Sequence, residues 1–259
     1  MSTIGIFDSG VGGLTVLQAL RRRIPGADYL YLGDTARLPY GSKSPSTVRR
    51  YALNAADHLS RHNIDILVIA CNTASASALP ALVASSSIPV IGVVEPGVRA
   101  ALSTGARRIA IIGTEGTIRS DAYQEALYRL SPDVVVEAAA CPLFVPLAEE
   151  GWGDHPVTNQ VAKIYLQPLL DRGVEALILG CTHYPLLKPS LARVAGPGVQ
   201  LVDSASSVTD AVLSRHRGLA TEGGRGKVVL HLTDASDRFR RITQTILGAD
   251  PEHLEIVDL

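Results

Sequence analysis

Short runs of aliphatic and β-branched residues alternate along the whole chain with longer stretches in which apolar positions recur every three or four residues. The first pattern is that of buried strands and the second that of amphipathic helices. Strands are predicted at 3–7, 28–32, 65–70, 90–94, 108–112, 134–138, 176–179, 199–202 and 227–232. Helices are predicted between them at 14–23, 46–62, 74–84, 98–103, 120–130, 157–172, 189–195, 206–216 and 237–247. Ser44 and Pro45 suit the cap and first position of the second helix. Such alternation predicts an α/β protein with mainly parallel sheets flanked by helices.

One element of the pattern occurs twice. Ile66-Leu67-Val68-Ile69-Ala70-Cys71-Asn72-Thr73 and Ala176-Leu177-Ile178-Leu179-Gly180-Cys181-Thr182-His183 are both an apolar strand, a small residue, a cysteine and a hydroxyl-bearing turn. Glu95-Pro96-Gly97 and Asp203-Ser204-Ala205 read as hinge points. Crossing at both divides the chain into two pseudo-symmetric α/β domains, residues 1–95 plus 206–259 and residues 96–205.

A 259-residue chain that is 46% hydrophobic is long enough for either one or two cores. Lys and Arg number 24 against 25 Asp and Glu, so no basic field argues for nucleic acid. The run Arg21-Arg22-Arg23 reads as the cationic end of the first helix. The N-terminal stretch has no signal-peptide character, and no apolar run approaches the roughly 18 residues of a membrane span, so a cytoplasmic protein without membrane attachment is expected. Three widely spaced cysteines make a poor disulfide framework, and reduced thiols are expected. Histidines are scattered, with no H-E-x-x-H or C-x-x-C spacing, so no metal is expected. None of the four lysines follows a strand, so no Schiff-base cofactor is implied, and no cofactor is expected at all.

Ligands of open parallel sheets bind where the strands end, so polar residues just after apolar runs are the candidates. Asp8-Ser9-Gly10-Val11-Gly12-Gly13 is a strand end followed by a glycine-rich turn that lets backbone approach a ligand, without the dinucleotide spacing. Asp8 and Ser9 read as substrate contacts. Gly33 to Gly41, with Tyr40, reads alone as a surface loop with a packed tyrosine. A cysteine at the end of a buried strand is by default an inert core thiol. That default weakens for Cys71, whose Asn72-Thr73 opens a helix, and for Cys181, followed by Thr182-His183, because such neighbours favour thiolate. Cys141, beside Pro142, has no such company and reads as structural. His183 reads as an acid or base beside Cys181. Thr114 and Thr117 follow another strand and suit a carboxylate, although a routine turn explains them equally well. Glu149 and Glu150 are either solvated charges or one acid facing a cleft.

Phe7 to Leu14, Asp34-Thr35-Ala36-Arg37-Leu38-Pro39-Tyr40-Gly41, Ala70-Cys71-Asn72-Thr73-Ala74 and Gly180-Cys181-Thr182-His183-Tyr184-Pro185 together resemble the glutamate racemase family, in the family's order and over residues 4–216. The resemblance implies a cofactor-independent enzyme of two α/β domains, with its site in the cleft between them, that supplies D-glutamate for peptidoglycan and is often a homodimer. It implies Cys71 and Cys181 as paired base and acid. It implies substrate contacts at Asp8, Ser9, Tyr40, Gly41, Asn72, Thr73, Thr182 and His183, with Asp8 and His183 assisting the thiols. The family's further glutamate falls on Glu149, with Glu150 as the alternative because two adjacent acids leave the register open. The competing readings are a racemase of aspartate or another small acid, a related one-thiol decarboxylase, and a small-molecule binding module with structural or redox-active cysteines.

Overall fold

The computed structural model describes residues 2–216, 224–248, 251 and 253–259. Two sheets organise them. The first contains β1 (Thr3–Asp8), β2 (Asp28–Gly33), β3 (Ile66–Ile69), β4 (Val90–Gly92), β9 (Val228–Leu232) and β10 (His253–Ile256), ordered β10-β9-β2-β1-β3-β4. The second contains β5 (Arg108–Gly113), β6 (Val135–Ala140), β7 (Ala176–Gly180) and β8 (Gln200–Asp203), ordered β6-β5-β7-β8. Every strand pairing among the described residues is parallel.

The helices supply the crossovers: α1 (Leu14–Arg23), α2 (Pro45–Ser60), α3 (Asn72–Ser85) and α4 (Val94–Ser103) in the first part of the chain. They continue with α5 (Glu115–Arg119), α6 (Ala122–Leu130), α7 (Phe144–Glu149), α8 (Pro156–Leu170), α9 (Lys188–Ala195), α10 (Ser204–Arg215) and α11 (Asp237–Leu247). Ser44 caps α2 by accepting from the Thr47 N–H, with Pro45 at its first position. Arg21, Arg22 and Arg23 form the last turn of α1, where positive charge opposes the helix dipole.

The central strands of each sheet are buried on both faces, so β3 and β7 are apolar throughout and successive side chains enter different cores. In β3, Ile66 and Val68, with Ala70 just after the strand, join the core under α1 and α10, whereas Leu67 and Ile69 join the core under α2 and α3. In β7, Ala176 and Ile178 face the side of α4 and α6, and Leu177 and Leu179 face α8 and α9. The period of two carries past both strands. Cys71 extends the row Leu67-Ile69, and Cys181 extends the row Leu177-Leu179.

Some segments differ from the sequence expectation. Glu95-Pro96-Gly97 lies in the first turn of α4, as Ser204-Ala205 lies in that of α10, so neither segment is irregular chain, and Pro96 is tolerated because N–H groups of a first turn have no intrahelical partner. Phe144-Val145-Pro146-Leu147-Ala148-Glu149 forms α7, held by the burial of Phe144, Leu147 and Ala148 despite its proline. β10 is an exposed edge strand whose side chains provide no buried alternation to read. No helix among the described residues is long and apolar enough to cross a membrane.

Candidate active site

The strand order of each sheet reverses at one place: between β1 and β3 in the first, and between β5 and β7 in the second. Crevices open at the carboxyl ends of strands at such points. Cys71 follows β3 at the first and Cys181 follows β7 at the second. Both cysteines line one cavity between the sheets, walled also by Ser9, Gly10, Leu38, Pro39, Tyr40, Gly41, Asn72, Thr73, Thr114, Val145, Glu149, Thr182 and His183.

Two loop contacts close the walls. Gly12, in the turn after β1, packs directly on Thr182 and His183, and Gly41 packs on Thr114. Neither position has room for a Cβ, so backbone of the first sheet's loops comes as near to the second sheet's turns as glycine allows.

The two cysteines stand in different electrostatic settings. Cys71 is the N-cap of α3; its Sγ accepts from the Ala74 N–H at 3.5 Å and donates to Ser9 Oγ at 3.4 Å. Burial, reinforced by the charge of Asp8, pushes its thiol up to about 12 against those two hydrogen bonds, with the second cysteine adding a smaller push. Cys181 instead has His183 Nδ1 at 3.8 Å from its sulfur. On the far side of that ring, Nε2 lies 3.2 Å from Glu149 Oε1, a close but off-axis ion pair. Burial by itself lowers the imidazole, but the close sulfur of Cys181 and the negative charge of Glu149 outweigh it and push His183 up to about 10. These neighbours favour the imidazolium form of His183. A thiol and a sulfur–imidazolium pair face the same space.

Asn72 is fixed as a donor. Its Oδ1 accepts from the Tyr123 hydroxyl at 2.5 Å and from Ser204 Oγ at 3.1 Å, which orients the amide and leaves Nδ2 buried without a partner among the described residues. An orphan buried donor costs free energy unless a ligand satisfies it. Thr73, Thr114 and Thr117 form a triangle of hydroxyls at 2.9, 3.2 and 3.1 Å. Thr114 caps α5 by accepting from the Thr117 N–H.

Of the residues singled out in the sequence, Ser9, Tyr40, Gly41, Cys71, Asn72, Thr73, Thr114, Glu149, Cys181, Thr182 and His183 share the cavity wall. Asp8 and Thr117 are fully buried one layer behind it. Asp8 accepts from the Gly10 N–H at 3.0 Å and from Thr182 Oγ1 at 3.2 Å, so it reaches the cavity through Thr182. Burial raises its carboxyl, opposed by the nearby His183 charge. The Tyr40 hydroxyl is engaged with Asp34 Oδ2 at 2.5 Å, leaving its ring to the wall. Glu149 borders the cavity, whereas Glu150 is exposed. Cys141 lies in the core under α7 and α8, and burial raises its thiol.

Sequence reasoning missed the apolar wall of Leu38, Pro39 and Val145 and the two residues that orient Asn72. It also took the histidines as scattered. His58, His62 and His231 in fact converge, because parallel pairing sets β9 beside β2 under the end of α2.

The model of the Asp/Glu/hydantoin racemase family matches residues 14–212. A glutamate racemase of Geobacter metallireducens is 51% identical over 249 residues, covering 95% of this chain and 92% of that protein. The glutamate racemase of Francisella tularensis, solved with D-glutamate, superposes with a TM-score of 0.92 at 36% identity, covering 99% of this chain and 97% of that one. The Thermus thermophilus glutamate racemase, solved with β-chloro-D-alanine, gives 0.89 at 46% identity, covering 100% and 97%.

Proposed function

The chain belongs to the Asp/Glu/hydantoin racemase family, and from that membership we propose that it interconverts L- and D-glutamate by proton transfer between two cysteines, without a cofactor. The observation that carries this reading is the placement of Cys71 and Cys181 on one cavity, each at the reversal point of its own sheet. Thiols approaching from two sheets address opposite faces of one carbon.

One turnover begins with Cys181 as thiolate beside the His183 cation and Cys71 as thiol. The Cys181 sulfur takes the α-proton, the electron pair remains on the α-carbon and its carboxylate, and Cys71 delivers its proton to the other face. The product leaves with inverted configuration, Cys71 becomes the thiolate and Cys181 the thiol. The reverse direction starts from that state. A glutamate α-proton is weakly acidic, so the developing charge needs fixed donors in a dry site. Asn72 Nδ2, the Thr73 and Thr182 hydroxyls and the N–H groups opening α3 are the donors at hand. Ser9, Tyr40, Gly41 and Thr114 shape the remaining substrate contacts. His183 and Glu149 serve Cys181, and Asp8 serves from behind Thr182, with Thr117 supporting Thr73 and Thr114.

The division into residues 1–95 plus 206–259 and residues 96–205 draws support from the separate pairs of cores around the two sheets, which differ from it in setting Val94 with the second sheet and Ala205 with the first. The same reading makes the protein a cytoplasmic supplier of D-glutamate for peptidoglycan, working as a homodimer, which sedimentation equilibrium tests. Circular dichroism of L-glutamate and L-aspartate incubated separately tests the substrate. Loss of optical activity is expected for glutamate; loss confined to aspartate, or to neither, contradicts the proposal.

A further inference from the structure

We propose that His58, His62 and His231 form a binding site for a divalent transition cation of the zinc type, separate from the cavity between the sheets. His58 lies in the last turn of α2, and His62 follows one turn later, so the two rings share a face. His231 comes from β9. One ring nitrogen from each of the three falls within 4.8 Å of the others.

The ring geometry matches three imidazoles arranged around one metal. Their centroids are 5.1, 5.1 and 5.0 Å apart, and their planes are inclined by 49, 70 and 72°. With Zn–N bonds of about 2.0–2.1 Å, each centroid stands about 3.2 Å from the metal, and tetrahedral angles then separate centroids by about 5.2 Å. Packing alone does not require three rings to be equidistant. His58 Nε2 and His231 Nδ1 share a hydrogen bond of 2.9 Å. A cation replacing that proton needs the nitrogens to spread only to about 3.3 Å.

A second observation concerns the opposite side of His231. Its Nε2 lies 3.5 Å from Glu255 Oε2, on the neighbouring strand β10. A metal-bound histidine characteristically turns its other ring N–H toward a carboxylate, which fixes its tautomer and raises its basicity. Burial and the neighbouring histidines also hold His58 and His231 below the ordinary imidazole range. Three nitrogen ligands favour zinc, cobalt, nickel or copper over magnesium or calcium, which require oxygen. His62 is exposed, so water has access to the fourth position. A cation there ties the end of α2 to β9, and through Glu255 to β10. The site therefore stabilises the C-terminal strands and takes no part in the chemistry between the sheets.

Zn²⁺ alone is the probe, titrated calorimetrically into the full chain carrying Cys71→Ser and Cys181→Ser, which removes the two cavity thiols and leaves only the buried Cys141. One equivalent should bind. Adding His62→Ala should weaken binding at least tenfold, and Glu255→Gln by about tenfold. Both side chains are exposed, so both variants are expected to fold. In the otherwise unaltered protein, Zn²⁺ should raise the melting temperature and His62→Ala should abolish that rise while racemisation persists. Absence of one-to-one binding, or equal affinity with and without His62, overturns the site.

Discussion

Gly12→Ala isolates the dependence of the chemistry on how closely the two sheets meet. The substitution changes no charge and no hydrogen-bonding group, and Gly12 is not among the residues with left-handed backbone, so its effect is steric. The new methyl would stand 2.4 Å from Thr182 Oγ1, 2.7 Å from His183 Nδ1 and 2.9 Å from the His183 backbone nitrogen. Ordinary contact begins at 3.4 Å, so the 182–183 turn must retreat by about 1 Å. That retreat falls on the ring held 3.8 Å from the Cys181 sulfur and on the hydroxyl bonded to Asp8. A misplacement of about 1 Å costs roughly a hundredfold in rate, while overpacking of this size costs only about 1–3 kcal/mol of stability. The assay follows L- and D-glutamate by circular dichroism alongside thermal melting. Gly198→Ala is the control, because nothing lies within 4 Å of a Cβ there. The expected result is a roughly hundredfold loss of kcat in a folded Gly12 variant and none in the control. A Gly12→Ala enzyme within threefold of the parent in both directions would refute the reasoning.

Two further outcomes follow from the surroundings of His183. Its folded value near 10 lies above the free imidazole's 6.5, so the protonated ring stabilises the fold fully below about 6.5, and that contribution is lost as pH rises toward 10. Urea midpoints should accordingly fall between pH 7 and 10, and the fall should shrink in His183→Gln; an unchanged pH profile in that variant contradicts the assigned charge. Glu149→Gln removes the carboxylate 3.2 Å from His183 Nε2 and should lower kcat by roughly 10²-fold, whereas the exposed Glu150→Gln should leave it near the parent value. Equal losses in the two variants would place the auxiliary acid wrongly.

The parts of this molecule legible in its sequence are those fixed by periodicity near one position. An apolar run ending in a small residue, a cysteine and a hydroxyl marks a buried strand that stops at a ligand-facing edge, and both copies do so at 66–73 and 176–183. The glycine turn after β1 was legible for the same reason. What sequence left open depends on distant partners or on side-chain direction. Asn72 is oriented by Tyr123 and Ser204, which are 51 and 132 residues away. A strand end indicates that Asp8 is near the site but not that its carboxylate turns back toward the Gly10 N–H, one layer behind the wall. Two adjacent acids were indistinguishable until α7 aimed one inward, and α7 itself was obscured by Pro142 and Pro146. The three histidines were unreadable together because β9 returns to the first sheet only after the whole second sheet has been built.

The most direct measurement of the central claim is α-proton exchange in D₂O, begun separately from L- and D-glutamate, with the parent enzyme, Cys71→Ser and Cys181→Ser. The account predicts deuterium at the α-carbon of the product in both directions for the parent, and a loss of racemisation of roughly a thousandfold or more in each single variant, because each sulfur serves one face. Racemisation by either variant at a rate near the parent's would contradict two opposed cysteines as the proton carriers.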